Sequence, residues 1–143
     1  MLLISKGADI NAKAKNIGPT PLIASVMVSN AYLVIELCKR KADLNIVSNE
    51  GKTALIEATL LEDIAIVKIL IGMGADLNIA GLNGRTALIV AAHEGYEEIA
   101  EMLLLHGADV MCHDHKGRTA LMMAAMKGHE NIVKKILAIA KVY

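Results

Sequence analysis

Phenylalanine and tryptophan are missing altogether from the 143 residues, and tyrosine occurs three times, at Tyr32, Tyr96 and Tyr143. The core must therefore be aliphatic and methionine-rich, and hydrophobic residues at 55% of the chain supply the material. Without aromatics there is no platform for stacking bases, and 15 basic residues against 15 acidic ones leave no global field to recruit a polyanion. No nucleic-acid partner is expected. Cysteine is scarce as well: Cys38 and Cys112 are too few for a secreted disulfide scaffold and fit a reducing compartment, with Cys38 read as a small buried hydrophobe. Long apolar runs are absent too. The strongest, IAIVKILIGMG, is interrupted by Lys68 and falls short of the roughly 18 residues that a membrane helix needs, so no membrane partner is expected. The opening MLLISKG has too short an apolar segment, and no charged leader, to be a secretory signal. A cytoplasmic protein is the expectation.

What the sequence has instead is a period. Thr20-Pro21-Leu22-Ile23, Thr53-Ala54-Leu55-Ile56, Thr86-Ala87-Leu88-Ile89 and Thr119-Ala120-Leu121-Met122 recur every 33 residues. A second series, Gly7-Ala8-Asp9-Ile10-Asn11, Lys41-Ala42-Asp43-Leu44-Asn45, Gly74-Ala75-Asp76-Leu77-Asn78 and Gly107-Ala108-Asp109-Val110-Met111, keeps the same beat after a first interval of 34. One extra residue thus lies between Asn11 and Thr20. Within a period the chemistry reads as helix, turn, helix, extended loop. Threonine is an N-cap and Pro21 suits the first helical position, where its missing N–H is not needed. In the third period a first helix is expected over Ala87–Glu94, stopped by Gly95. A second begins at Glu97 and Glu98 with Ile99, Leu103 and Leu104 at helical spacing, and Gly107 ends it. One such unit cannot bury its apolar face alone, so the units must stack into a solenoid.

These motifs resemble the ankyrin repeat family, most closely in GRTALIVAAHEGYEEIAEMLLLHGADV and GRTALMMAAMKGHENIVKKILA, and the likeness covers essentially the whole chain. The resemblance implies an all-α solenoid of stacked helix-turn-helix units with projecting β-hairpin loops. It implies a single domain over 1–143, with a partial repeat at 1–13 and full repeats at 14–47, 48–80, 81–113 and 114–143. Several positions depart from the family pattern. Ile23, Ile56, Ile89 and Met122 replace its histidine, so apolar packing is expected to hold them. Ser29 and Glu62 stand where the inter-helix glycine belongs, which leaves the form of the first two full repeats' turns open. Met111 replaces the asparagine present at 11, 45 and 78. Met1 to Lys6 offers only the tail of a second helix, and the closing ILAIAKVY lacks a polar outer face, so a piece of a longer array is expected.

For function the resemblance implies a non-catalytic module that binds another protein through a concave face of hairpin tips and first helices, the chain itself monomeric or in end-to-end contact. The expected contacts are Met27 and Val28, Leu60 and Leu61, His93 and Glu94, and Met126 and Lys127 at the ends of the first helices. His113 and His115 at a hairpin tip join them. Lys52, Arg85 and Arg118 form a basic row, either a ridge for an acidic partner or a solvated face. The aliphatic pairs are either exposed partner sites or side chains tucked inside by irregular turns. Net charge runs +3, −3, −4 and +4 over 1–47, 48–80, 81–113 and 114–143. The alternative function is a spacer or regulatory segment of a longer protein whose activity lies elsewhere.

No catalytic constellation or cofactor is expected. The serines cluster in the N-terminal third and the histidines in the C-terminal half, which a solenoid keeps apart. The tripeptides Gly51-Lys52-Thr53, Gly84-Arg85-Thr86 and Gly117-Arg118-Thr119 echo a phosphate loop, but Ile46, Ile79 and Cys112 stand where its first glycine must be. In MCHDHKG, Cys112, His113, Asp114 and His115 are metal-ligating types. An extended loop alternates them, however, and splits the set into two pairs. The stretch is read as a fingertip, with Asp114 and Gly117 shaping its turn. His129 is read as structural and His106 as an exposed helix-end side chain.

Overall fold

A computed structural model describes residues 8–13 and 18–140. The helix tail expected over 1–6, part of the loop holding the extra residue, and the last three residues of the chain fall outside them. The described residues form an all-α stack of helix pairs: α1 Pro21–Met27, α2 Ala31–Lys39, α3 Ala54–Leu60, α4 Ile64–Gly72, α5 Ala87–Glu94, α6 Glu97–Leu105, α7 Ala120–Lys127 and α8 Glu130–Ala140. First helices pack on first helices in the order α1, α3, α5, α7, and second helices follow in parallel as α2, α4, α6, α8.

Each first helix starts in the same way. Thr20, Thr53, Thr86 and Thr119 hold extended backbone, and their hydroxyls accept the N–H of Ile23, Ile56, Ile89 and Met122 at 3.3, 3.1, 3.3 and 3.3 Å. Asn30 and Asp63 cap α2 and α4 likewise, through Leu33 and Ile66 at 3.1 Å each. Tyr96 offers no side-chain cap to α6, and the carboxylates of Glu97 and Glu98 answer the dipole in its first turn instead.

The turns between helices are regular, including those left open at Ser29 and Glu62. In all four, a backbone N–H reaches back five residues to a carbonyl: Asn30 to Ser25, Asp63 to Ala58, Tyr96 to Ala91 and His129 to Ala124, at 2.9 to 3.0 Å. This closure needs a left-handed residue before the donor. Gly95 and Gly128 supply it at φ 81° and 76°, and Ser29 and Glu62 adopt it at φ 53° without being glycine. Lys41 does the same after α2 at φ 64°, where Gly74 and Gly107 serve α4 and α6. The fold dictates the turn and these three residues carry its strain.

Between repeats runs a polar ladder. The side-chain carbonyls of Asn11, Asn45 and Asn78 accept the N–H of Asp43, Asp76 and Asp109 at 2.8, 2.9 and 2.8 Å. Each of those aspartates, like Asp9 before them, accepts the N–H two residues on, the last being that of Met111. Met111 offers no such carbonyl, which is where the series changes.

The projecting loops follow the path of hairpins without a β-ladder. Among the described residues the one bridge is between His113 and Thr119. The core is aliphatic throughout: Leu22, Leu55, Leu88, Ile99, Leu103, Met123, Ile132 and Ile136 are each at most 2% exposed. Ile23, Ile56 and Ile89 are sealed at 3%, 4% and 1%, as expected, but Met122 at the equivalent position of α7 is 49% exposed. Apolar packing does not hold that position, because no first helix among the described residues follows α7.

Ile56→Ala is expected to cost roughly 2–5 kcal/mol in denaturant unfolding, and Met122→Ala, on the open face, under about 0.5 kcal/mol. Equal costs would contradict the stacking account. Glycine at Ser29, Lys41 or Glu62 should stabilise by a few tenths to about 1 kcal/mol each, since the left-handed strain outweighs the added chain entropy. A loss of stability at all three would mean that their side chains matter more than their backbone.

Candidate functional site

Among the described residues the loops between repeats end in three equivalent fingertips. Each closes through a pair of backbone bonds: Ser48 N–H to Lys52 carbonyl with Gly51 N–H to Ser48 carbonyl, and the same between Gly81, Arg85 and Gly84 and between Asp114, Arg118 and Gly117, all at 2.9 to 3.0 Å. Gly51, Gly84 and Gly117 take φ of 73°, 76° and 75° to make that closure. Together with the capping threonines, this accounts for the Gly-Lys/Arg-Thr tripeptides as loop geometry. Fingertips also touch one another. Leu82 N–H donates to the Gly51 carbonyl at 2.8 Å and His115 N–H to the Asn83 carbonyl at 2.9 Å. The backbones approach so closely that a Cβ on Gly51 would stand 2.7 Å from the Leu82 nitrogen, and one on Gly84 2.5 Å from the His115 ring.

The basic row is not uniform. Lys52 spans Glu57 at 3.3 Å and Glu50 at 3.4 Å. Burial pulls its ammonium down, but hydrogen bonds and charge from Glu57 and Glu50 outweigh that and hold it above its ordinary value. Arg118 directs Nε and Nη2 onto Asp114 Oδ2, each at 2.9 Å. Arg85 makes no ion pair among the described residues, and its buried Nε has no hydrogen-bond partner there. The period explains the difference: the position of Asp114 in its fingertip is held by Gly81 one repeat earlier and by Ser48 two repeats earlier.

The aliphatic pairs at the helix ends face solvent rather than the core. Val28 is 70% exposed and Leu60 39%, and Met27, Leu61 and Met126 are likewise exposed. The regular turns at Ser29 and Glu62 do not tuck them in. Leu60 meets the fingertips directly, lining with Lys52, Ile56, Leu82, Arg85 and Val90 a cleft of about 100 Å³. Leu82, 62% exposed at the rim of that cleft, escaped the sequence reading. The signal was present: an apolar residue at a fingertip where Asn49 and His115 are its polar equivalents. Further along, half-buried His93 bonds through Nδ1 with Glu94 at 3.0 Å. The His129 ring lies over Gly95 and reaches the His93 carbonyl through Nε2 at 3.1 Å, so it joins two repeats. Exposed His106 bonds the Met102 carbonyl at 2.8 Å, and Lys127 is exposed at the end of α7.

In MCHDHKG the side chains alternate: Asp114 is buried and Cys112 half-buried, while His113 and His115 are exposed. Asp114 is fully committed. Its Oδ1 accepts the N–H of Lys116 and of Arg118 at 2.9 Å each, and its Oδ2 holds the guanidinium. The backbone bond from Arg118 leads in holding its carboxyl below the ordinary value of 3.8, helped by the Arg118 side chain and the Lys116 N–H against the opposing effect of burial. Burial and nearby Asp109 push the Cys112 thiol up, away from the thiolate that a metal or an electrophile would require. Among the described residues no three of His, Cys, Asp and Glu gather as a metal-binding group, and no helix is long and apolar enough to cross a membrane.

The family model "Ankyrin repeats (3 copies)" matches residues 1–81 and again residues 73–142. Comparison with curated proteins finds no match.

Because its folded-state pKa is depressed, Asp114 contributes stability that is complete above its ordinary carboxyl value and is lost as pH falls through the lower folded one. Asp114→Asn should therefore melt below the parent at neutral pH, and the gap should close in melts taken below pH 3.8. A gap independent of pH would refute the assigned role.

Proposed function

Since the chain belongs to the ankyrin repeat family, we propose that it is a non-catalytic module that grips a partner protein in the groove between its fingertips and first helices. Ankyrin repeats are in general protein–protein interaction modules, and the finer reading rests on what this groove displays. The observation that carries it is the run of exposed aliphatic pairs, Met27–Val28 and Leu60–Leu61, of which Leu60 shares a cleft with Lys52 and Arg85 of the fingertips. Apolar side chains held in water at regular spacing on a rigid scaffold are the usual core of an interface, with charge at its rim. Met126, Lys127, His93 and Glu94 extend the same line, and Lys52, Arg85, Arg118, His113 and His115 form its edge. The reading carries with it a reducing setting such as the cytoplasm, in keeping with Cys38 and Cys112 as free thiols.

Replacing Leu60 and Leu61 together by serine should leave the melting curve nearly unchanged, because neither is in the core. Retention of a partner captured by the parent chain should fall about tenfold or more. A partner held equally well by the double variant would sink this reading.

A further inference from the structure

Three fingertips place a basic side chain at the same position, and two of the three satisfy it from within the chain. Arg118 has Asp114 and Lys52 has Glu50 and Glu57. Arg85 has neither, although its Nε is buried. Arg85 is half-buried, its Nε is held out of water without an acceptor, and the neighbouring repeat shows what a guanidinium at this position pairs with: one carboxylate oxygen 2.9 Å from both Nε and Nη2. The chain cannot supply that group at the equivalent place. A Cβ on Gly81 would collide with the Gly51 carbonyl oxygen and lie 2.8 Å from Ile56 Cδ1, so the packing of one fingertip on the next forbids a side chain there. The cleft beside Arg85 holds about 100 Å³, room for roughly three waters. Its other walls are the aliphatic Ile56, Leu60, Leu82 and Val90, with Gly51 and the uncharged Asn83. Its other charged residue is Lys52, whose acidic neighbours are already engaged. The negative balance of residues 81–113 comes from Glu94, Glu97, Glu98, Glu101 and Asp109, none of which lines this cleft.

We infer that this cleft is a subsite for the carboxylate of an aspartate or glutamate, flanked by aliphatic side chains, in an extended segment of the partner protein. The acid meets the half-buried Arg85 side chain from the open side of the cleft, doing there what Asp114 does for Arg118 from within, while its neighbours rest on Leu60 and Leu82. The inference rests on the groove reading above and adds to it the chemistry of one contact.

The test is selection from a phage-displayed random peptide library on the immobilised chain, followed by titration of a selected synthetic peptide. Selected peptides should share an acidic residue next to an aliphatic one, and changing that acid to its amide should weaken binding about tenfold or more. In Arg85→Met the acid and amide peptides should bind alike, and the variant should melt no lower than the parent because it removes an unpartnered group. An acid preference that survives in Arg85→Met, or selection of peptides without one, overturns the carboxylate subsite. The groove reading stands in either case if the Leu60/Leu61 variant loses those peptides. A phosphoserine peptide that binds tighter than the glutamate peptide also overturns it, and failure to select any peptide removes both the groove and the subsite.

Discussion

Each repeat of this chain is completed by the next, and the four equivalent positions at the start of the first helices show it within one molecule. Ile23, Ile56 and Ile89 lie under the following repeat and are almost fully buried, whereas Met122 has no described successor and stands open. The chemistry of the four sites is alike, so the difference in burial is due to stacking alone. With no phenylalanine or tryptophan to fill volume, the stack relies on many small aliphatic contacts between neighbours. The rigidity of the groove is thus a collective property of the array.

Stacking buries backbone as well as side chains, and every buried N–H must find an acceptor. The threonine caps, the five-residue back-bonds of the turns and the asparagine-to-aspartate ladder do this at the same place in each repeat. The ladder also fixes register, since an asparagine carbonyl reaches the next aspartate N–H only when successive repeats are correctly offset. Fingertips inherit that register, which is why a bond such as Leu82 N–H to the Gly51 carbonyl can form and why glycine is required where backbones meet.

The fold was legible because periodicity is a property of sequence order: the 33-residue beat, the capping threonines and Gly95 as a stop all reappear in the structure. Reading residues one at a time could not decide the turns at Ser29 and Glu62. There glycine is preferred, but the back-bond that closes the helix pair imposes the left-handed conformation on whatever residue is present. Burial at Met122 was misjudged for the same reason, because it depends on a neighbour and not on the residue. The aliphatic pairs could be found by position in the period. Whether they faced in or out could not, since that turns on the shape of the turn that follows.

The basic row shows what a repeat scaffold leaves for function. Lys52, Arg85 and Arg118 are indistinguishable by position, and all three occupy the same backbone closure. What separates them is the residue four places earlier, Ser48, Gly81 or Asp114, and whether carboxylates elsewhere make up the difference, as Glu50 and Glu57 do for Lys52. In the third repeat no carboxylate among the described residues makes it up, and the contact between fingertips that orders the array excludes the side chain that would. A repeated scaffold satisfies its own polar groups wherever the pattern holds. The place where its packing blocks the pattern is therefore where a basic side chain is left without a carboxylate of its own.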